Sequence, residues 1–362
     1  MVKLLPTLCG LLTLASASLV STPLFAQYSV HREGDLVKLE DTKNQITVSI
    51  IPSVGNMAID MKVKGQNVFR FPFASLEEFK GRPGMAGIPF LGPWANRLDE
   101  TGFYANGKKY AFNMELGNVR GPIPIHGFLT YAKDWQVVEA KSDKKSAWVT
   151  TKLEFYRHPE WMAQFPFAHT IQLTYRLADG ALEVHLRLDN MSTDPMPVAI
   201  GFHPYYQLTD SVRDEWTISV GARTEWLLSP AKIPTGETRP IEQMFPNPQA
   251  AVLKDYNLDH VFGDLVRDSA GRATLSVKGK SQKLEISFGP NYKAAVIYAP
   301  NPPAGSRGGN QPAQNRNFIC FEPMAGITDA MNLSQKGLYK EQQSIPPGQS
   351  WQESFWVRPS GF

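Results

Sequence analysis

Four stretches of the chain set one ionisable or strongly polar residue among apolar, proline and glycine neighbours. In Gly87–Leu98 (GIPFLGPWANRL) the polar pair is Asn96-Arg97, and in Ile123–Phe128 (IPIHGF) the polar residue is His126. In Gly201–Tyr206 (GFHPYY) it is His203; in Ile319–Met324 (ICFEPM) it is Glu322, with Asp329 and Asn332 just beyond. A charged side chain in such company is costly unless it is paired or put to use. Glu322 is the sharpest case, because Phe318-Ile319-Cys320-Phe321 reads as a fully buried strand. A carboxylate ending that strand should face a cavity, be paired, or titrate above its ordinary range. Taken singly, Arg97 reads equally as a surface arginine after a loop, and His126 or His203 as a hydrogen-bonded structural histidine.

Other chemistries lack their signatures. There is no HExxH and no paired His/Cys spacing, so a zinc site is not expected. A GxSxG elbow, a phosphate-cradling P-loop and a GxGxxG fingerprint are also missing. Among the remaining histidines, His169 and His185 are expected on a sheet surface and His260 at a rim.

The elements that must position these residues are strands. Ile171, Leu173, Tyr175 and Leu177 alternate with polar residues, and after Asp179-Gly180 the pattern resumes through Leu182, Val184, Leu186 and Leu188. Asp-Gly between two alternating runs predicts a hairpin. Similar runs occur at Ile46–Ile51, Ala147–Phe155, Trp216–Val220, Ala273–Val277, Leu284–Phe288, Ala294–Tyr298 and Phe355–Val357. No long segment keeps a helical period, and only Ala74–Lys80 suggests a turn or two of helix. The pattern predicts an all-β chain of antiparallel sheets packed in layers. Pro300–Arg316, poor in apolar residues and rich in Gly, Pro and Asn, reads as a long surface loop.

With 362 residues, 42% hydrophobic and 20% charged, the chain can bury a large core and is not a disordered polymer. A net charge of +3 gives no electrostatic footprint for nucleic acid. Residues 1–26 carry one lysine, an apolar run and small residues at Ala15–Ala17 and Leu24–Ala26. That is the pattern of a secretory signal peptide, with cleavage expected after Ala26 and Ala17 as second choice. Its removal leaves 36 of the 37 basic residues against 34 acidic ones, net +2. The mature chain, 27–362, is expected to be one β domain, exported to the periplasm or secreted, with no membrane association. Cys9 departs with the leader, so Cys320 has no internal disulfide partner.

Taken in order, the polar clusters resemble the aldose 1-epimerase (galactose mutarotase) family. The matching residues are Pro93-Trp-Ala-Asn96-Arg97, His126-Gly127, His203-Pro204-Tyr205, Asn257-Leu-Asp259 and Glu322-Pro323, with Ile345-Pro-Pro-Gly348 as the closing turn. The resemblance implies a large antiparallel β-sandwich of the galactose mutarotase-like supersandwich type. It also implies cofactor-free interconversion of the α and β anomers of a free aldose, a small-molecule substrate; no metal is expected to be needed, and the chain is expected to be a monomer or weak dimer. By analogy Glu322 is the general base and His203 the general acid, while Asn96, Arg97, His126, Tyr205 and Asp259 bind the sugar. Val296 stands where galactose-preferring members often carry a glutamine.

The chemistry suits these groups. Opening a hemiacetal ring requires removal of the anomeric hydroxyl proton and donation of a proton to the ring oxygen, here by a carboxylate and an imidazolium expected on opposite sides of the C–O bond. Such a pair is also expected to depress the pKa of Glu322. Rival readings are a glycoside hydrolase using Glu322 and Asp259, a carbohydrate-binding domain without catalysis, and a hexose-6-phosphate epimerase. The histidine motifs speak against the first, the acid–base couple against the second, and the absence of an unassigned arginine pair against the third.

Overall fold

A computed structural model describes residues 1–2, 26–115, 119–120, 122–301 and 316–362. The expected leader falls almost entirely in 3–25, and most of the expected Pro300–Arg316 loop in 302–315, both outside the described residues.

The Asp179-Gly180 signal forms the turn it predicts. Both residues have positive φ (48° and 71°), as a two-residue turn matched to strand twist requires. His169–Ala178 and Ala181–Asn190 pair antiparallel across it, from Ala178 opposite Ala181 to His169 opposite Asn190. These strands lie within a nine-stranded sheet. Its order is Gln136–Ser142, Ala147–Glu154, His169–Ala178, Ala181–Asn190, Ser350–Ser360, Lys283–Phe288, Ala273–Lys278, Thr217–Ser219, Ala251–Val252. The Ile345-Pro-Pro-Gly348 turn leads directly into Ser350–Ser360, with Gly348 at φ 70°.

A seven-stranded sheet packs against it. The order is Pro234–Pro240, Ala222–Leu228, Leu258–Leu265, Ala294–Ala299, Cys320–Met324, Gly201–Phe202, Phe90–Leu91. The shared core holds Leu173, Tyr175, Leu186 and Phe355 from the first sheet, and Phe202, Phe262, Ile297 and Phe321 from the second, all fully buried. The Phe202 and Phe355 rings meet at 5.1 Å. Burying each such side chain contributes about 1.5–3 kcal/mol. A five-stranded sheet, Tyr28–Glu33 through Gln66–Asn67, continues the core: the Tyr175 hydroxyl donates to the Asn56 carbonyl at 2.8 Å. The all-β antiparallel layers expected from the alternating runs are therefore the fold.

Helices are short. Leu76–Gly81 forms inside the expected Ala74–Lys80 stretch, with Ser75 Oγ accepting from the Glu78 N–H at 3.1 Å as its cap. Pro159–Gln164 and Ala330–Gln335 leave no trace in the periodicity, because six residues are too few to establish one. His169 departs from its expected surface position. It is 3% exposed, stacks on Phe155 at 4.1 Å, and burial pushes its pKa down to about 4.

Candidate active site

The seven-stranded sheet provides the floor of the site. Along Cys320–Met324 the pleat sends Phe321 into the core between the sheets and Glu322 to the opposite face. Across the ladder Glu322 pairs with Val296, Cys320 with Tyr298, and Tyr298 in turn with Asp259. Cross-strand partners share a face, so Glu322, Tyr298 and Asp259 point to the same side. Glu322 is not at a strand end as expected. Pairing runs on through Pro323 and Met324, which places the carboxyl in the middle of a strand and under the site. Asp259 is the second residue of Leu258–Leu265.

Loops raise the walls. His203 follows directly on Gly201–Phe202 and is held by its N–H donating to the Pro89 carbonyl at 3.0 Å. The turns carrying Asn96 and His126 lock each other. The Asn96 N–H donates to His126 Nδ1 at 3.1 Å, and the His126 N–H to the Asn96 carbonyl at 2.9 Å. A backbone N–H can only donate, so Nδ1 is the acceptor and the neutral ring carries its hydrogen on Nε2. This exchange needs left-handed backbone at Asn96 (φ 58°), His126 (φ 62°) and Gly127 (φ 56°).

The His-Gly dipeptide thus has a physical reason. A Cβ at Gly127 would overlap the Gly92 carbonyl oxygen. Gly127→Ala should cost on the order of 3 kcal/mol and shift His126, seen as a lower melting temperature together with a raised KM. A melting temperature equal to wild type would remove the argument for this glycine.

These walls and floor enclose a cavity of about 260 Å³. All seven residues to which the resemblance gave a role line it: Asn96, Arg97, His126, His203, Tyr205, Asp259 and Glu322. Met85, Ile125, Tyr131 and Tyr298 complete it. Arg97, 7% exposed, donates from Nη1 to Asn96 Oδ1 at 2.9 Å and from Nη2 to Asp259 Oδ2 at 3.2 Å. His203 Nε2 lies 3.2 Å from Glu322 Oε1. Its ring stacks on Tyr205 at 4.8 Å and meets His126 edge-on at 5.5 Å. His260, expected at the rim, turns away: its Nδ1 accepts the Asp259 N–H at 3.0 Å and its Nε2 lies 3.8 Å from Glu225.

Burial pushes the Glu322 pKa well above the carboxylate range, and the charge of Asp259 adds to it while Arg97 opposes. The expected depression of Glu322 by His203 is therefore overturned: a carboxyl 1% exposed, whose Oε2 accepts no hydrogen bond, loses more hydration than its neighbours restore. The result is a strongly basic carboxylate on the floor of the cavity. Burial likewise raises Tyr131 to about 12, so it keeps its phenolic hydrogen as a donor. Tyr131 and Tyr298 were not identified from sequence. Tyr298 ends a buried alternating run, where only the strand partner decides which face is the site. Among the described residues no group of three His, Cys, Asp or Glu is arranged to hold a metal ion.

Comparison with known proteins agrees with this architecture. The aldose 1-epimerase family model matches residues 35–358. An uncharacterised Escherichia coli protein, YihR, is 25% identical over 241 residues, 66% of this chain and 70% of its own length. A galactose mutarotase-like protein from Clostridium acetobutylicum superposes with a TM-score of 0.77 at 21% identity, covering 92% of this chain and 98% of its own. Galactose 1-epimerase from Lactobacillus acidophilus gives a TM-score of 0.70 at 16% identity, with 92% and 98% covered. At such identities the two structures establish the fold, and the match running from residue 35 to residue 358 establishes that the chain belongs to the aldose 1-epimerase family.

Proposed function

We propose that the protein is a cofactor-independent aldose 1-epimerase, which opens and recloses the ring of a free aldose and so interconverts its α and β anomers. The observation that carries this reading is the 3.2 Å approach of His203 Nε2 to Glu322 Oε1 on the floor of a polar cavity. The two groups lie side by side, and in this reading they act on the two oxygens of one carbon. That arrangement suits a hemiacetal, whose hydroxyl oxygen and ring oxygen hang on the same carbon.

The proposed step balances. Glu322 takes the proton of the anomeric hydroxyl while the His203 imidazolium protonates the ring oxygen, and the bond from C1 to the ring oxygen breaks to give the open aldehyde. Rotation about C1–C2 presents the other carbonyl face. On closure His203 recovers its proton from the attacking hydroxyl and Glu322 returns its own to the new anomeric oxygen. Arg97 and Asp259, paired with each other, serve as a fixed donor and acceptor for ring hydroxyls. The commitment of Asp259 to Arg97 also speaks against a hydrolase that needs Asp259 as a second reactive carboxylate. A cavity of about 260 Å³ lies below the ~300–1,000 Å³ typical of drug-sized ligands and favours a single sugar ring. The leader read in residues 1–26 supports sugars met outside the cytoplasm.

The test is optical rotation of pure anomers of glucose, galactose, xylose and arabinose, with and without protein. Faster decay for at least one is expected; acceleration of none overturns the reading in favour of a non-catalytic sugar binder.

The pH profile offers a second check. Protonating Glu322 removes the base, so kcat/KM should fall on the acid side at a higher pH than an ordinary carboxylate would give. Because Asp259 raises the Glu322 pKa and Arg97 lowers it, Asp259→Asn should move that limb to lower pH and Arg97→Met to higher pH. Limbs that stay in place in both variants would detach Glu322 from the profile.

A further inference from the structure

Asp329 and Asn332 stood out in the sequence and take no part in the proton transfers above. They belong to the short Ala330–Gln335 helix and the residue before it, and both are buried, 1% and 0% exposed. Asp329 has left-handed backbone (φ 63°) and turns Oδ1 to accept the Asp99 N–H at 3.1 Å. Asn332 Nδ2 donates to Asp99 Oδ1 at 3.0 Å and to the Gly102 carbonyl at 3.2 Å, and Lys336 Nζ closes on Asp99 Oδ2. Asp99 lies two residues beyond Arg97. The intervening Leu98 is buried, with its N–H tied to the Pro124 carbonyl at 3.1 Å. One helix therefore fastens the far end of the turn that presents Asn96 and Arg97 to the cavity.

We propose that Asp329 is a positioning residue for the sugar pocket, forming with Asp99, Asn332 and Lys336 a clamp on the Asn96–Arg97 turn that loosens when Asp329 ionises. The chemistry is that of two carboxyls meeting in a poorly hydrated place. Asp329 Oδ2 is buried with no hydrogen-bond partner, so a negative charge on this carboxyl would go uncompensated there. Burial, and then the negative charge of Asp99, push the Asp329 pKa up to about 8. Asp99 goes the other way: against the upward push of its own burial, hydrogen bonds from Lys336 and Asn332 hold it below the ordinary range. The other charged groups nearby are Glu100, 3.9 Å from Lys336, and Lys109, which contacts Glu100 from the Lys108–Ala111 strand. Arg97 is turned away toward Asp259. Above about pH 8 the clamp would thus hold two carboxylates against the single ammonium of Lys336.

The kinetic consequence rests on the epimerase reading; the effect on the turn does not. Two variants separate positioning from plain stability. Asp329→Asn keeps an acceptor for the Asp99 N–H and mimics the neutral acid, whereas Asp329→Ala removes the contact. With the aldose that the rotation panel finds fastest, wild-type KM should rise roughly fivefold from pH 7 to about pH 9.5, after correction for spontaneous mutarotation, with kcat little changed. Asp329→Asn should match wild-type KM at pH 7 and stay flat into alkali, while Asp329→Ala should raise KM roughly tenfold at pH 7. In sugar-free protein, hydrogen–deuterium exchange at the Asp99 amide, corrected for intrinsic pH dependence, should speed up in the alanine variant and, above about pH 8, in wild type alone of the other two. Exchange at Asp99 unchanged in Asp329→Ala, or an alkaline loss of protection that persists in Asp329→Asn, overturns the clamp. If no aldose is accelerated, the epimerase reading falls while the exchange measurements still decide the clamp.

Discussion

Glu322→Gln is expected to abolish enzyme-accelerated mutarotation, by about 10³-fold or more, while leaving the protein at least as stable as wild type at neutral pH. The first half follows from the mechanism, since a positioned base contributes about 10²–10⁴-fold and an amide cannot take the anomeric proton. The second half follows from electrostatics. Burial raises the folded-state pKa of Glu322 above its unfolded value, so the native protein holds that proton more tightly than the unfolded chain. The stabilising contribution of the protonated acid is present below the ordinary carboxylate range and is lost as pH rises through the elevated pKa. At neutral pH an ionised Glu322 is a cost to the fold, and glutamine, uncharged and of the same shape, removes it. His203 loses its partner in the variant but can shed its proton, so no buried charge is stranded. Polarimetry with a thermal melt on the same preparation reads both halves. Activity within tenfold of wild type would dismiss Glu322 as the base, and a large fall in melting temperature would show that the carboxylate holds the fold together.

The sequence disclosed the strands more fully than the site, and the reasons are physical. Alternation such as Ile171 to Leu177 follows from one face of a sheet meeting a core, so it is written locally. Ile46–Ile51 matches its strand at both ends, and the Asp179-Gly180 turn follows from the positive φ that these residues tolerate. Two-residue strands such as Gly201–Phe202 carry no period at all, because their pairing is imposed by neighbours far along the chain. Asn96, Arg97, His126, His203 and Glu322 could be picked out since each offends its apolar surroundings, and Tyr205 and Asp259 through the motif resemblance, yet their partners could not. Arg97 meets Asp259 across 162 positions, and the Asn96–His126 exchange depends on three left-handed residues in two separate turns. Polarity flagged Asp329 as well. Its contact with Asp99, 230 positions away, required the fold to be seen. His169 shows the opposite failure: an imidazole in an alternating strand looks like a surface residue until Phe155 and Phe165 close over it.

His203→Asn should lower kcat by about 10²–10³-fold with KM changed only a few-fold. The imidazole's proton is needed where the ring oxygen gains its bond to hydrogen, an interaction that strengthens in the transition state and is weak in the bound sugar. Asparagine can still donate a hydrogen bond from this position, so binding survives while proton delivery does not. The decisive measurement is the double variant Glu322→Gln/His203→Asn. The two groups lie 3.2 Å apart and act in one step, taking a proton from one oxygen of the hemiacetal while giving one to the other. Once either is lost, the partner has nothing to complete, so the double variant should be about as slow as the slower single one. If His203 were only a binding group, its replacement would raise KM at nearly constant kcat, and its effect would multiply with that of Glu322→Gln. A multiplicative double variant would therefore separate the two residues into independent roles and remove the coupled acid–base pair on which the proposed ring opening depends.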